Sequence, residues 1–245
     1  MTSVPGVAPE LSIVMPVFKE GDRIEPVVRA LTAAIPTPHE LLVVYDFDED
    51  PTRPAAERLA AELPAVRPFR NDLGRGVLNA MKAGIAGSSG AYVLITMADG
   101  SDEAHVVEPM LDLGRGGADV VAASRYMRGG HQVGGPLIKR TLSRIAGLSL
   151  HWIGGVATHD PTNNFKLYSR RLLDATPIES SAGFELALEL TVKATLAGRR
   201  VAEVPTTWRD RTAGESNFKL RKWLPYYLKW YFVAMRGRAR RLLRR

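Results

Sequence analysis

The chain contains no cysteine. That excludes disulfides, thiolate metal sites and cysteine nucleophiles together. No run reaches the roughly 18 consecutive apolar residues of a membrane-spanning helix. Residues 1–10 lack a basic segment followed by an apolar one, so no secretory signal is expected there. Acidic residues are missing from the C-terminal end: the last is Glu215, and ten Lys or Arg follow it. The whole chain carries +7, so the part before that tail is mildly acidic at −3. This balance argues against a body-wide nucleic-acid surface, and no nucleic-acid partner is expected. It fits a folded body with a polyanion-seeking end.

What is present is an alternation of apolar strands and amphipathic helices. Strand-like runs cover residues 11–15, 41–45, 66–69, 92–97 and 118–123, with helix-like segments at 24–34, 53–63, 77–86 and 106–113 between them. Such alternation predicts a mostly parallel sheet with helices on both faces. The strands are continuously apolar, as burial on both faces requires. The second half is less regular. Helices are expected at 137–152 and 184–196, and strand-like runs at 165–168 and 201–206.

Polar chemistry follows the strands. Met97-Ala98-Asp99-Gly100-Ser101-Asp102 closes the fourth, where open α/β sheets place their ligands. One carboxylate plus substrate phosphates is a common way of holding Mg²⁺. The first strand runs into Pro16-Val17-Phe18-Lys19-Glu20, and the second into Asp46 and Asp50-Pro51-Thr52. Carboxylates there can take ribose or base N–H and O–H groups, although Asp50 or Thr52 could equally start a helix as an N-cap. Gly74-Arg75-Gly76 opens a helix in the manner of a diphosphate cradle, or of an ordinary turn. Arg125, Arg140 and Arg144 are candidate phosphate clamps or plain surface charge. Asp160–Phe165 reads as a polar turn, and residues 211–219 as a loop with cations at both ends, either a closing loop or a linker.

The tail is patterned. Leu220, Trp223, Leu224, Tyr227, Leu228, Tyr231, Phe232 and Met235 follow 3-4 spacing and form one apolar helical face, with Tyr226 and Trp230 on its flanks. Pro225 is expected in the first turn. Basic residues with interfacial aromatics suit a helix lying on an anionic membrane; the competing reading is a helix packed on the body.

Taken in order, these motifs resemble family 2 glycosyltransferases of the dolichol-phosphate mannosyltransferase, or polyprenyl-phosphate glycosyltransferase, type. The resemblance runs from about Leu11 to Lys219. Residues 16–20 match the opening Pro-x-Tyr-Asn-Glu, with Phe18 and Lys19 as departures. Asp46, Asp50 and Thr52 are kept from Asp-Asp-Gly-Ser-x-Asp-x-Thr. Gly74, Gly76 and Ala80 match the Gly-rich helix entry, and Ser124-Arg125-Tyr126 its Ser-Arg-Tyr segment. Asp160 and Phe165 match the Asp-x-x-x-x-Phe turn. Arg211, Gly214, Ser216 and Lys219 match the closing loop. The metal motif Asp-x-Asp is reduced to Met97-Ala98-Asp99.

The resemblance implies a GT-A (Rossmann-like) α/β fold, with a glycosyltransferase domain over residues 1–219 and a basic amphipathic membrane-interface helix and tail over 220–245. It implies transfer of a hexose from a nucleotide-diphosphate sugar to a polyprenyl phosphate, on the cytoplasmic face of a membrane. Asp99, Arg125, Arg140 and Arg211 are the expected catalytic residues. Pro16, Val17, Glu20, Asp46, Asp50, Gly76, Ala98 and Asp99 are expected to hold the donor, and Asp160, Ser216 and Lys219 to serve the acceptor side. Asp99 and Ser101 would hold Mg²⁺ or Mn²⁺, weakly, because the thioether of Met97 is a poor ligand for a hard cation. The alternatives are a transferase acting on a glycan hydroxyl, for which Asp102 would be the candidate base, or a nucleotide-sugar binding protein impaired in catalysis.

Overall fold

The computed structural model describes residues 9–210 and 220–243. A seven-stranded sheet forms the centre. In chain order its strands are β1 (Leu11–Pro16), β2 (His39–Tyr45), β3 (Val66–Arg70), β4 (Tyr92–Ile95), β5 (Val120–Ser124), β7 (Lys166–Ser169) and β8 (Val201–Pro205). Their spatial order is β3-β2-β1-β4-β7-β5-β8, and only β7 is antiparallel to its neighbours. A short second sheet pairs β6 (His131–Val133) with β9 (Thr207–Arg209). The strand order reverses between β1 and β4, and the C-terminal ends of those strands therefore border the crevice where ligands bind in open α/β sheets.

Alternate side chains of each strand feed opposite faces. Leu11, Ile13, Met15, Leu41 and Val43 pack against α1 (Ile24–Ala34), α2 (Thr52–Glu62) and α4 (Val107–Arg115). Val14, Leu42, Val44 and Tyr168 pack against α3 (Val77–Gly87) and α7 (Leu186–Leu196), with Leu172 of α6 (Arg170–Ala175) at the edge. Two further helices, α5 (Leu137–Trp152) and α8 (Leu220–Leu242), complete the molecule.

The last helix is packed on the body, the competing reading of the tail. α7 is buried over most of its surface, and Leu188 and Val192 belong to a cluster apart from those that pack on the sheet. Those residues need a cover, and α8 supplies it with Trp230 and Ala234, while Leu150 and Val156 close the cluster from the α5 side. Trp223 is buried as well, packed edge-to-face on Phe184. The expected single apolar face is thereby divided: Trp230, expected on a flank, is buried, whereas Leu224, Leu228 and Phe232 face solvent. Pro225 lies inside the helix rather than in its first turn. Among the described residues no helix is long and apolar enough to cross a membrane.

This packing makes α8 part of the cooperative unit. Trp230→Ala is expected to destabilise the protein by about 3–5 kcal/mol, the cost of emptying a buried aromatic site. Phe232→Ser, on the exposed side, should stay within about 0.5 kcal/mol of the parent. Urea midpoints of the two variants check this; equal midpoints would mean that α8 is not packed in solution.

Candidate active site

A cleft of about 1070 Å³ opens at the C-terminal ends of β1, β2, β4 and β5. Pro16, Val17, Glu20, Asp46, Gly76, Ala98, Asp99, Ser101, Arg125 and Arg140 all line it. Asp50 and Asp160 do not; both are buried behind the wall. Arg211, Ser216 and Lys219 lie outside the described residues.

The acids at the strand ends divide into braces and cleft groups. Asp50 is a brace. Its carboxylate accepts the backbone N–H of Lys19 (3.0 and 3.2 Å) and that of Thr52 (2.8 Å). Thr52 Oγ1 accepts the N–H groups of Glu20 and Gly21. These bonds hold Lys19 at φ 56°, a left-handed conformation that costs a side-chain-bearing residue about 1–2 kcal/mol. The loop after β1 is thus fixed from below, with Phe18 and Glu20 turned to the cleft. Asp46 reaches the cleft but is also committed. It accepts Asn71 Nδ2 (2.7 Å) and the Gly76 N–H (2.9 Å). Gly76 sits at φ 130°, ψ 148°, open only to glycine without strain, and there it opens α3. Asp46 therefore aims the N-terminus of α3 into the cleft. Asn71 was not singled out in the sequence, because nothing local marks a side chain that works across two loops.

Arg125 is the second surprise. Its guanidinium grips Asp160 through Nε (2.6 Å) and a second nitrogen (2.9 Å), and its own N–H adds a third bond (3.1 Å). Arg125 also donates to Ser143 of α5, which bonds in turn to Thr162. The Asp160 counter-charge raises the guanidinium pKa against the pull of burial and keeps Arg125 charged. Arg125 borders the cleft, and its charge is matched there by Asp160. Lys166 donates to the backbone carbonyls of Asp160 and Asn163, and burial pulls its ammonium down to about 7. Arg140, on the cleft-facing side of α5, is the expected cation that stays in the wall.

The turn after β4 carries Asp99, Ser101 and Asp102. Ser101 N–H donates to Asp99 Oδ1 (3.1 Å), and Thr96 donates to Asp102 Oδ2 (3.1 Å). Burial, reinforced by repulsion from Asp99, pushes the Asp102 carboxyl up to about 7. Ser101 Oγ is buried without a hydrogen-bond partner in the protein. Two carboxylates that repel each other beside an orphaned hydroxyl suit a divalent cation. The described residues contain no group of three His, Cys, Asp or Glu that could cage one.

The far half of the cleft was not anticipated. Leu142 and Ala146 of α5, Phe184, and Trp223, Leu224 and Tyr227 of α8 make its wall apolar and aromatic. Glu185 shapes its floor by accepting the N–H groups of Ser181, Ala182 and Gly183. A Ser-Ala-Gly turn followed closely by Glu is the signal that could have marked it.

Residues 12–176 match the model of glycosyl transferase family 2. The chain belongs to that family. It is 30% identical over 229 residues to the polyprenol monophosphomannose synthase of Mycolicibacterium smegmatis, covering 86% of this chain and 85% of the relative. It is 30% identical to the undecaprenyl-phosphate mannosyltransferase of Micrococcus luteus, with 83% and 85% covered. The dolichol-phosphate mannosyltransferase of Pyrococcus furiosus is 24% identical, and the match spans 59% of that protein. In fold the chain resembles the glucosyl-3-phosphoglycerate synthase of Mycobacterium tuberculosis solved with Mn²⁺, UDP-glucose and phosphoglyceric acid, at a TM-score of 0.62 and 20% identity over 94% of this chain and 80% of that one. The GT-A architecture and glycosyltransferase membership expected from the motifs hold.

The Asp102 carboxyl yields a pH test. Its folded pKa, about 7, lies above the ordinary 3.8, so its contribution to stability is full below about pH 4 and is lost as pH rises through 7. Asp102→Asn removes that loss. In chelator, the melting temperature of the variant relative to the parent should climb between about pH 4 and about pH 7. A difference that stays flat with pH would place the ionised carboxylate in a solvated or compensated setting.

Proposed function

We propose that the protein transfers a hexose from a nucleotide-diphosphate sugar to a polyprenyl phosphate. The observation that carries this reading is the two-part cleft: a polar half at the sheet's switch point and an apolar, aromatic half bordered by Arg140. The polar half suits the donor. The N-terminus of α3 offers backbone N–H groups to phosphate. Asp99 and Ser101, with the donor's phosphates, would hold Mg²⁺ or Mn²⁺. Such a cation, when bound, offsets charge on the leaving nucleoside diphosphate. Met97 removes one carboxylate from the family's motif, so metal affinity in the absence of nucleotide is low. The apolar half suits the first isoprene units, and Arg140 the acceptor phosphate. A phosphate monoester has its second pKa near 6, so it is largely ionised at neutral pH and attacks without a general base.

The lipid acceptor implies a bilayer. Leu228 and Phe232 on the exposed side of α8, with the basic end of that helix, support contact with an anionic membrane surface, on the cytoplasmic side. One observation favours a second reading. Asp102, in the cleft wall with a pKa of about 7, is poised as a general base, which a glycan hydroxyl acceptor would require. A panel of nucleotide sugars assayed with polyprenyl phosphate, with product masses measured, decides between them. A hexosyl phosphoprenol is expected; transfer to a sugar hydroxyl alone would favour the second.

Asp99→Ala should abolish nearly all transfer by a folded protein. Met97→Asp should tighten Mn²⁺ binding in calorimetry, and unchanged affinity would count against the alignment at Met97. Arg140→Ala should slow transfer about 10- to 1000-fold, the range for losing one electrostatic contact to reacting charge. Arg140→Lys should restore only part of it, because the planar fork is lost. Full activity in the lysine variant would rule out a bidentate phosphate contact there.

A further inference from the structure

The short parallel sheet of β6 and β9 forms part of the cleft wall with one of its faces. Gln132 of β6 and Trp208 of β9 are register partners in this pair. Partners in a parallel ladder point to the same side, and their neighbours along each strand to the other. His131, Val133 and Arg209 are exposed on that other side. Gln132 and Trp208 both line the cleft. The sheet thus presents to the cleft an indole beside a primary amide.

Both side chains are held in place. The Thr207 N–H donates to Glu103 Oε2 (2.8 Å) and the Arg209 N–H to the Ser101 carbonyl (3.2 Å). The backbone on either side of Trp208 is therefore tied to the turn after β4. The Tyr126 hydroxyl donates to Gln132 Oε1 (3.0 Å) and holds the amide by its oxygen. Gly135, another residue of the wall, passes close by at φ 80°. A Cβ there would come to 3.4 Å from both Gln132 Nε2 and Trp208 Cζ3, so the missing side chain is space kept beside both groups.

Strand order identifies the ligand group that reaches this wall. A sugar nucleotide is linear: nucleoside, diphosphate, hexose. Asp46 and Phe18 follow β2 and β1, on one side of β4. β6 follows β5, and β9 follows β8, the strand next to β5, so the second sheet belongs to the other side. With the diphosphate at Asp99 and Ser101, the nucleoside would take the β2–β1 side. There Phe18 and Phe47 meet edge to face, and Arg75 lies over Phe47 at 4.6 Å. The hexose would then face the second sheet. A pyranose packs its C–H face on an aromatic ring, and its hydroxyl oxygens accept from an amide. We propose that Trp208 and Gln132 form the hexose subsite of this protein, with the indole carrying the sugar ring and the amide donating to a hydroxyl to discriminate between hexoses. The inference rests on the reading of a nucleotide-sugar donor and deepens it.

The test is calorimetry on the full chain with Mn²⁺ and no acceptor. GDP-mannose and UDP-glucose are each compared with their own nucleoside diphosphate. Trp208→Leu should weaken binding of the sugar nucleotide about tenfold, the scale of one aromatic contact, and leave the bare diphosphate unchanged. Trp208→Phe should restore most of the loss. Gln132→Ala should weaken the sugar nucleotide about two- to tenfold, again sparing the diphosphate. Val133→Ala, on the solvent side of the sheet, should change neither. Unchanged diphosphate binding also shows that a variant is folded, and if Trp208→Leu does not fold, the Gln132→Ala result decides. The proposal is overturned if folded variants bind the sugar nucleotide like the parent. It is also overturned if diphosphate and sugar nucleotide lose affinity equally, which would place the nucleobase on Trp208. A parent that binds no nucleotide at all would remove the donor reading and the subsite with it. Losses confined to the sugar nucleotide, without any transfer to polyprenyl phosphate, would remove the acceptor reading and leave the subsite standing.

Discussion

The arrangement of the site depends on one buried ion pair. Arg125 leaves the end of β5, and Asp160 belongs to the turn before β7, an antiparallel strand inserted between two parallel ones. Neither charge survives alone in that position: removing one partner of a buried pair costs about 3–5 kcal/mol, because the other is left uncompensated. Together they set the distance between β5 and the Asp160–Phe165 turn. Through Ser143 they also set the position of α5. The helix that carries Arg140 into the cleft is therefore held by an interaction that itself faces inward.

The same economy applies to the acids. Asp50, Asp46 and Glu185 accept backbone N–H groups and shape loops, and Asp160 holds a cation. The turn after β4 brings two carboxyl groups, Asp99 and Asp102, to the cleft together. There the crowding of Asp99 and Asp102, with the unsatisfied hydroxyl of Ser101, stores electrostatic cost that a bound cation would relieve.

The outer helices extend this scheme toward the acceptor. α8 covers the apolar back of α7, which gives it a structural duty that a membrane anchor would not need. Its burial of Trp223 beside Phe184 also builds the aromatic half of the cleft. α5 buries Gly147 and Leu150 and leaves Leu137, Ile138, Leu142, Ile145 and Trp152 exposed. Two helices of similar composition thus play different parts because one has an apolar partner behind it and the other does not.

Much of this was legible in the amino-acid order. Continuously apolar strands, period-3.6 helices and acids at strand ends are local patterns, so the parallel α/β architecture and the position of the crevice, with lining residues such as Pro16, Asp46, Asp99 and Arg140, could be read directly. Asp50 was read as a donor ligand or an N-cap; Pro51 takes the N-cap position, and the bond from Lys19 N–H to Asp50 spans two loops. Which side chains face each other is not a local property. The pairing of Arg125 with Asp160, the service of Asn71 to Asp46, and the burial of Trp230 instead of Phe232 each require two segments far apart in sequence to meet. Helical spacing tells which residues share a face, but only the packed neighbour decides which face is covered. The sequence by itself determined the sheet, its site and its family; the tertiary structure decided which charges are spent on holding the fold and which apolar surface is left to meet a partner.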